Sequence, residues 1–188
     1  STVLVGVLVP ALAIGLYAAL SNWNWDPDAR ARAEIGAMSD ALAQLEARLS
    51  QSPNDVDGWL LLGRSYTALG RFPESIKAHE RAYELTNGSN VEAIVGLAEA
   101  MFLNDQSSLA GRAGELVEAA LARAPNHPKA LWYGAFTALQ AGDLRTGRER
   151  LQLLLAQNPP EEVQAVLQRQ IDDLTEQIGD ASTQQAAQ

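Results

Sequence analysis

Residues Gly58 to Phe72 read GWLLLGRSYTALGRF, and the spacing of their side chains predicts a helical hairpin. Trp59, Leu62 and Tyr66 fall three and four residues apart, so a helix places them on one face. Gly63 shares that face, where the missing Cβ lets a second helix come close. Gly70 marks the end of the first helix because it accepts the left-handed C-cap conformation. Pro73 marks the start of the second, since the first helical turn makes no use of the N–H that proline lacks.

The spacing W-x2-L-G-x2-Y in this stretch resembles the opening of a tetratricopeptide repeat, whose period is about 34 residues. Two further units follow in register. Aligning Gly142-Asp143-Leu144 with Gly70-Arg71-Phe72 gives a unit from Pro128 to about Pro159. Between them, Val91 to Pro125 places Ile94, Leu97, Ala98 and Met101 where the first unit has Trp59, Leu62, Gly63 and Tyr66, and its turn, Asn104 to Arg112, is stretched. Strand-like alternation is scarce. The expected fold class is all-α: an N-terminal transmembrane helix, then a tetratricopeptide-repeat solenoid of paired helices, then a C-terminal capping helix.

The chain has 188 residues, enough for one domain with a real core. A net charge of -9 argues against nucleic acid, which needs clustered cations to neutralise phosphates. Cysteine is absent, which excludes disulfides, thiol catalysis and Cys-ligated metal. Thr2 to Leu20 carries no charge, and a helix of that length reaches about 30 Å, a bilayer core. Tyr17, Trp23 and Trp25 stand where an interfacial aromatic belt would. Residues 1–25 are therefore expected to anchor the chain in a membrane, with a cleaved secretory signal peptide or a buried core helix as the competing assignments.

Residues 26–52 are expected to form an amphipathic helix with a heptad seam of Ile35, Met38, Leu42, Leu45 and Leu49, shielding the open side of the first repeat. Residues 53–160 hold the three repeats. Over 161–178, Val163, Val166, Leu167, Ile171, Leu174 and Ile178 predict a capping helix with a wet outer face. Residues 179–188 have no apolar period and are expected to be a disordered tail.

No catalytic constellation is present. His79 and His127 have no second ligand at metal spacing, the glycines form no phosphate loop, and Ser65, Ser75 and Ser89 lack a nucleophile elbow. No metal, cofactor or enzymatic activity is expected. What remains is a surface. The first helices of stacked hairpins line an inner groove, and the residues expected to face it are Leu60, Arg64 and Thr67, then Val95, Glu99 and Phe102, then Trp132, Phe136 and Leu139. An apolar groove of that kind fits an amphipathic helix.

The order of parts, together with ALAIGLYAAL, VGLAEAMF, the long turn ending LAGRAGELVEAALARAPNHPKALWYGA and the AGDLRTGRERLQLLLAQNPP ending, resembles the cytochrome c biogenesis proteins called CcmI or CycH. The resemblance implies a chaperone anchored in the bacterial inner membrane with its repeats in the periplasm. It implies that the chaperone binds apocytochrome c, chiefly by its C-terminal helix, and delivers it to a haem-ligation complex containing CcmF and CcmH. The alternative is a non-catalytic repeat adaptor in another membrane assembly.

Overall fold

The computed structural model describes the backbone of residues 27–186 and side chains over 36–179. The segment 1–25 expected to cross a membrane lies outside the described residues, and no described helix is long and apolar enough to do so. The chain divides into two compact units, residues 1–47 and 48–188. Described residues of the first are wholly helical, and their helix α1 (Pro27–Gln51) ends in the second unit. Of the expected heptad seam, the Ile35 side chain lies outside the described residues, Met38 is exposed, Leu45 is half-buried, and Leu42 and Leu49 are buried.

The second unit is a row of helical hairpins. In order they are α2 (Val56–Ala68) with α3 (Phe72–Leu85), α4 (Val91–Asn104) with α5 (Arg112–Arg123), and α6 (Pro128–Gln140) with α7 (Leu144–Leu155). Helix α8 (Glu161–Ala186) packs on α7. Side chains written into the sequence start these helices: Asp55, Asn90 and Asp143 each accept a hydrogen bond from a backbone N–H three residues on, at 2.9 to 3.1 Å. Gly70 and Gly142 end the first helices of their hairpins at φ of +69° and +80°, the left-handed conformation their positions predict.

The stretched turn of the middle hairpin is a 3-10 helix, Gln106–Ala110. Asp105 opens it by accepting from the Ser107 N–H at 2.9 Å. Leu109 then drops into the core with 2% of its surface exposed, so the insertion is packed rather than looped out.

Each hairpin buries apolar surface against the next. Ile94, Leu97, Val117, Ala130 and Tyr133 join α4, α5 and α6 around one core. Leu131, Leu151, Leu154, Leu167, Ile171 and Leu174 join α6, α7 and α8 around another. Each fully buried aliphatic side chain contributes about 1.5 to 3 kcal/mol, so the stack is held chiefly by contacts between neighbouring units. The backbones of α2 and α4, and of α4 and α6, lie close together, whereas α3 and α5, and α5 and α7, meet through side chains such as the pairs Arg112–Glu80 and Arg150–Glu118. The first helices of the hairpins therefore form one continuous layer.

Helix α8 corrects two expectations. It runs through Gly179 to Ala186, so residues 179–186 are helical rather than a disordered tail. The alanine and glutamine there are good helix formers, and one interior glycine costs only about 1 kcal/mol. Leu167, Ile171 and Leu174 form its buried stripe, but Val163 and Val166 are exposed. Val163 lies in the first turn, ahead of the buried stripe, and Val166 lies beside Leu167 but to one side of that stripe.

Candidate binding face

The layer formed by α2, α4 and α6 carries every residue expected to face the groove, but it does not present them equally. Leu60 and Val95 are corrected: with 5% and 2% of their surface exposed they belong to the core. Leu60 packs among Ala82, Ala93, Val56 and Tyr83, and Val95 lies in the cluster of the middle hairpin. The reason is that successive first helices pack on one another, which covers positions that the period of a single helix turns outward.

Thr67 is half-buried and tied down. Its Oγ1 lies 3.1 Å from the Gly63 carbonyl oxygen and 2.7 Å from Ser75 Oγ, and Ser75 Oγ lies 2.9 Å from the same carbonyl. These contacts brace α2 on α3. Leu139 leans on α7, where a Cβ built on Gly147 would lie 2.6 Å from its Cδ2. Arg64, Glu99, Phe102, Trp132 and Phe136 remain as the face.

Three of these residues make an aromatic cluster. Phe102 on α4 lies with its ring centroid 6.3 Å from that of Phe136 on α6, and Phe136 meets Trp132 edge-on at 5.2 Å. All three are half-buried, so each ring has one side in the fold and another in solvent. Offset and edge-on pairs at these distances hold the rings in place, so the surface is formed before any ligand arrives.

Periodicity alone did not single out the residues that support this cluster. Tyr133 is buried, meets Phe102 edge-on at 5.5 Å and donates its hydroxyl proton to Glu99 at 3.3 Å. Burial first, and the adjacent Glu99 second, push the Tyr133 phenol above its ordinary range, so it remains a donor. Lys129 Nζ donates to the other oxygen of Glu99 at 2.7 Å. Both partners come from the next unit, 34 and 30 residues on. Acid-to-base pairing at about one repeat length is the signal that could have found them.

Neither histidine lies in a metal-binding arrangement. His79 is buried between α2 and α4, and His127 caps α6, accepting from the Ala130 N–H through Nδ1 at 3.3 Å while Nε2 faces Glu92 Oε1 at 3.1 Å. Among the described residues no three His, Cys, Asp or Glu side chains are grouped to hold a metal ion.

The family described as "Cytochrome c-type biogenesis protein H TPR domain" matches residues 15–165. The cytochrome c-type biogenesis protein CycH of Pseudomonas aeruginosa is 27% identical over 179 residues, covering 90% of this chain and 43% of that protein. The cytochrome c-type biogenesis protein CcmH of Escherichia coli K12 is 28% identical over 137 residues, covering 71% of this chain and 38% of that one. The chain thus spans less than half the length of these curated relatives. A crystal structure of MamA protein superposes with a TM-score of 0.59 at 18% identity, covering 81% of this chain and 85% of that chain, a likeness of fold.

Proposed function

The chain belongs to the cytochrome c-type biogenesis protein H TPR domain family, and from that premise we propose that it is a non-catalytic holding module for apocytochrome c. Residues 1–25 anchor it in the bacterial inner membrane, the repeats face the periplasm, and the aromatic cluster takes the apolar side of the client's C-terminal helix. The client is then passed to the haem-ligation proteins CcmF and CcmH.

The observation that carries this proposal is the cluster of Phe102, Trp132 and Phe136 on adjacent inner helices, half open to solvent. Rings fixed by their neighbours lose little freedom on binding, and an amphipathic helix supplies the complementary apolar stripe. A chain without cysteine also holds a client's thiols without exchanging with them.

Titrating the 188-residue chain with a synthetic peptide of an apocytochrome c C-terminal helix tests the proposal directly. Dissociation constants on the order of micromolar or tighter are expected. In cells, deleting the gene is expected to abolish haem-stained c-type cytochromes and leave b-type haem intact. A deletion strain with normal c-type cytochromes would overturn the proposal.

A further inference from the structure

We propose that the face receives its helix in one direction, with the helix's carboxyl terminus at Arg64 and its apolar stripe on Phe102, Trp132 and Phe136. This rests on the helix-binding function proposed above and adds to it the polarity of the ligand.

The charges on the face are unequal. The carboxylate of Glu99 is half-buried and already taken by Lys129 and Tyr133, at 2.7 and 3.3 Å, so that pair contributes no net charge. Arg64 is different. It is exposed on α2 and has no hydrogen-bond or ion-pair partner among the described residues. Asp57, seven residues earlier on α2, lies about 10 Å along the axis, in the first turn, where it complements that helix's own positive end. Gly63 and Gly96 both face the His79 ring, which sets α2 beside α4 there, so Arg64, next to Gly63, and Glu99, three residues beyond Gly96, lie on neighbouring turns of the layer. Glu92, at the start of α4, is taken by His127 Nε2 at 3.1 Å. A chain with a net charge of -9 therefore presents an unpaired cation on its inner layer, and the aromatic cluster adjoins the neutral pair through the contact of Tyr133 with Phe102.

The two ends of a helix differ in sign. A free carboxyl terminus adds a full negative charge to the partial charge of the last unpaired carbonyls, whereas an amino terminus is positive on both counts. A guanidinium can take both oxygens of a terminal carboxylate in its planar fork. The end of the ligand that reaches Arg64 is therefore its carboxyl end.

Two fluorescein-labelled peptides of the same apocytochrome C-terminal helix, one a free acid and one a C-terminal amide, are titrated into the wild-type chain, Arg64→Gln and Trp132→Ala. Amidation is expected to weaken wild-type binding roughly three- to fivefold, and Arg64→Gln to weaken the acid peptide equally. Arg64→Gln should bind both peptides alike, and the wild-type difference should shrink as salt is raised. Equal binding of acid and amide to the wild type, with both weakened by Trp132→Ala, would overturn the polarity and leave the helix site standing. An amide effect that persists in Arg64→Gln would place the carboxylate elsewhere and also overturn it. Binding of neither peptide would remove the helix site and the polarity together.

Discussion

The imidazole of His79 occupies the space into which a side chain on Gly63 would project: a Cβ built there would lie 2.5 Å from Nε2. Gly96 on α4 closes the other side, where a Cβ would meet Cε1 of the same ring. One ring from α3 is thus held between two glycines of successive inner helices, and it links the first hairpin to the second.

Burial in this cage, reinforced by Arg64 and Lys129 and opposed by Glu99 and Glu92, lowers the pKa of His79 from 6.5 to about 4. The unfolded chain takes up a proton near pH 6.5, whereas the folded one does so only near 4. This group therefore leaves stability unchanged above pH 6.5 and lowers it as the pH falls from 6.5 toward 4, by about 2 kcal/mol at pH 5. His79→Gln should flatten the difference between urea midpoints at pH 7.5 and pH 5. An unchanged difference would show that the ring is not caged.

The hairpin boundaries were legible because they rest on local chemistry: Gly70 and Gly142 require a left-handed turn, Pro73 starts a helix, and Asp55, Asn90 and Asp143 cap one. The faces were harder to see. Leu60 and Val95 lie outward by the period of their own helices, but the neighbouring unit buries them, and one helix's periodicity carries no information about that neighbour. Trp59 shows the converse. Its position in the repeat signature predicts core, yet it is half-buried, with its indole N–H donating to the Pro53 carbonyl at 2.9 Å. The pairings of Glu99 with Lys129 and Tyr133 become visible only when the sequence is folded back at the repeat length.

Arg150 on α7 ties the second hairpin to the third. Its Nη1 and Nη2 donate to the two oxygens of Glu118 at 2.7 Å, and Nη1 also donates to the Gly134 carbonyl at 2.7 Å. Lysine cannot reproduce that fork, so Arg150→Lys should cost about 1 to 2 kcal/mol. Glu118→Gln should cost less than about 1 kcal/mol, because Glu118 is exposed and Arg150 keeps the Gly134 carbonyl. Denaturant midpoints of the two single variants and the double variant measure the coupling, and simple additivity would mean that the Arg150–Glu118 pair contributes no net stability.

Gly114 and Gly179 are both helical glycines with opposite surroundings. A Cβ on Gly114 would run into the Leu109 carbonyl oxygen and meet Thr137 Cγ2 at 3.2 Å, whereas a Cβ on Gly179 meets nothing within 4 Å. Gly114→Ala must displace the packed 3-10 insertion and should cost about 1 to 3 kcal/mol. Gly179→Ala removes backbone freedom from the unfolded chain and should raise stability by about 0.5 to 1 kcal/mol. Thermal melts of the two variants read the sign of each effect, and a shift in the same direction for both would contradict the packing described for the insertion.

Binding and stability should separate between the inner face and the core. Trp132 and Phe136 each keep a side in solvent, so Trp132→Ala and Phe136→Ala should weaken the apocytochrome peptide about tenfold or more while the chain still melts cooperatively. Leu97 is fully buried at the centre of the middle cluster, and Leu97→Ala should cost about 2 to 5 kcal/mol by leaving a cavity between α4, α5 and α6. Trp59→Ala should cost less than Leu97→Ala, because the indole is half in solvent and its N–H can exchange the Pro53 carbonyl for water. Peptide titrations and melts on the four variants decide the matter. If Trp132→Ala and Phe136→Ala unfold the chain as readily as Leu97→Ala, these rings hold the stack together and the face has no surface to spare for a client.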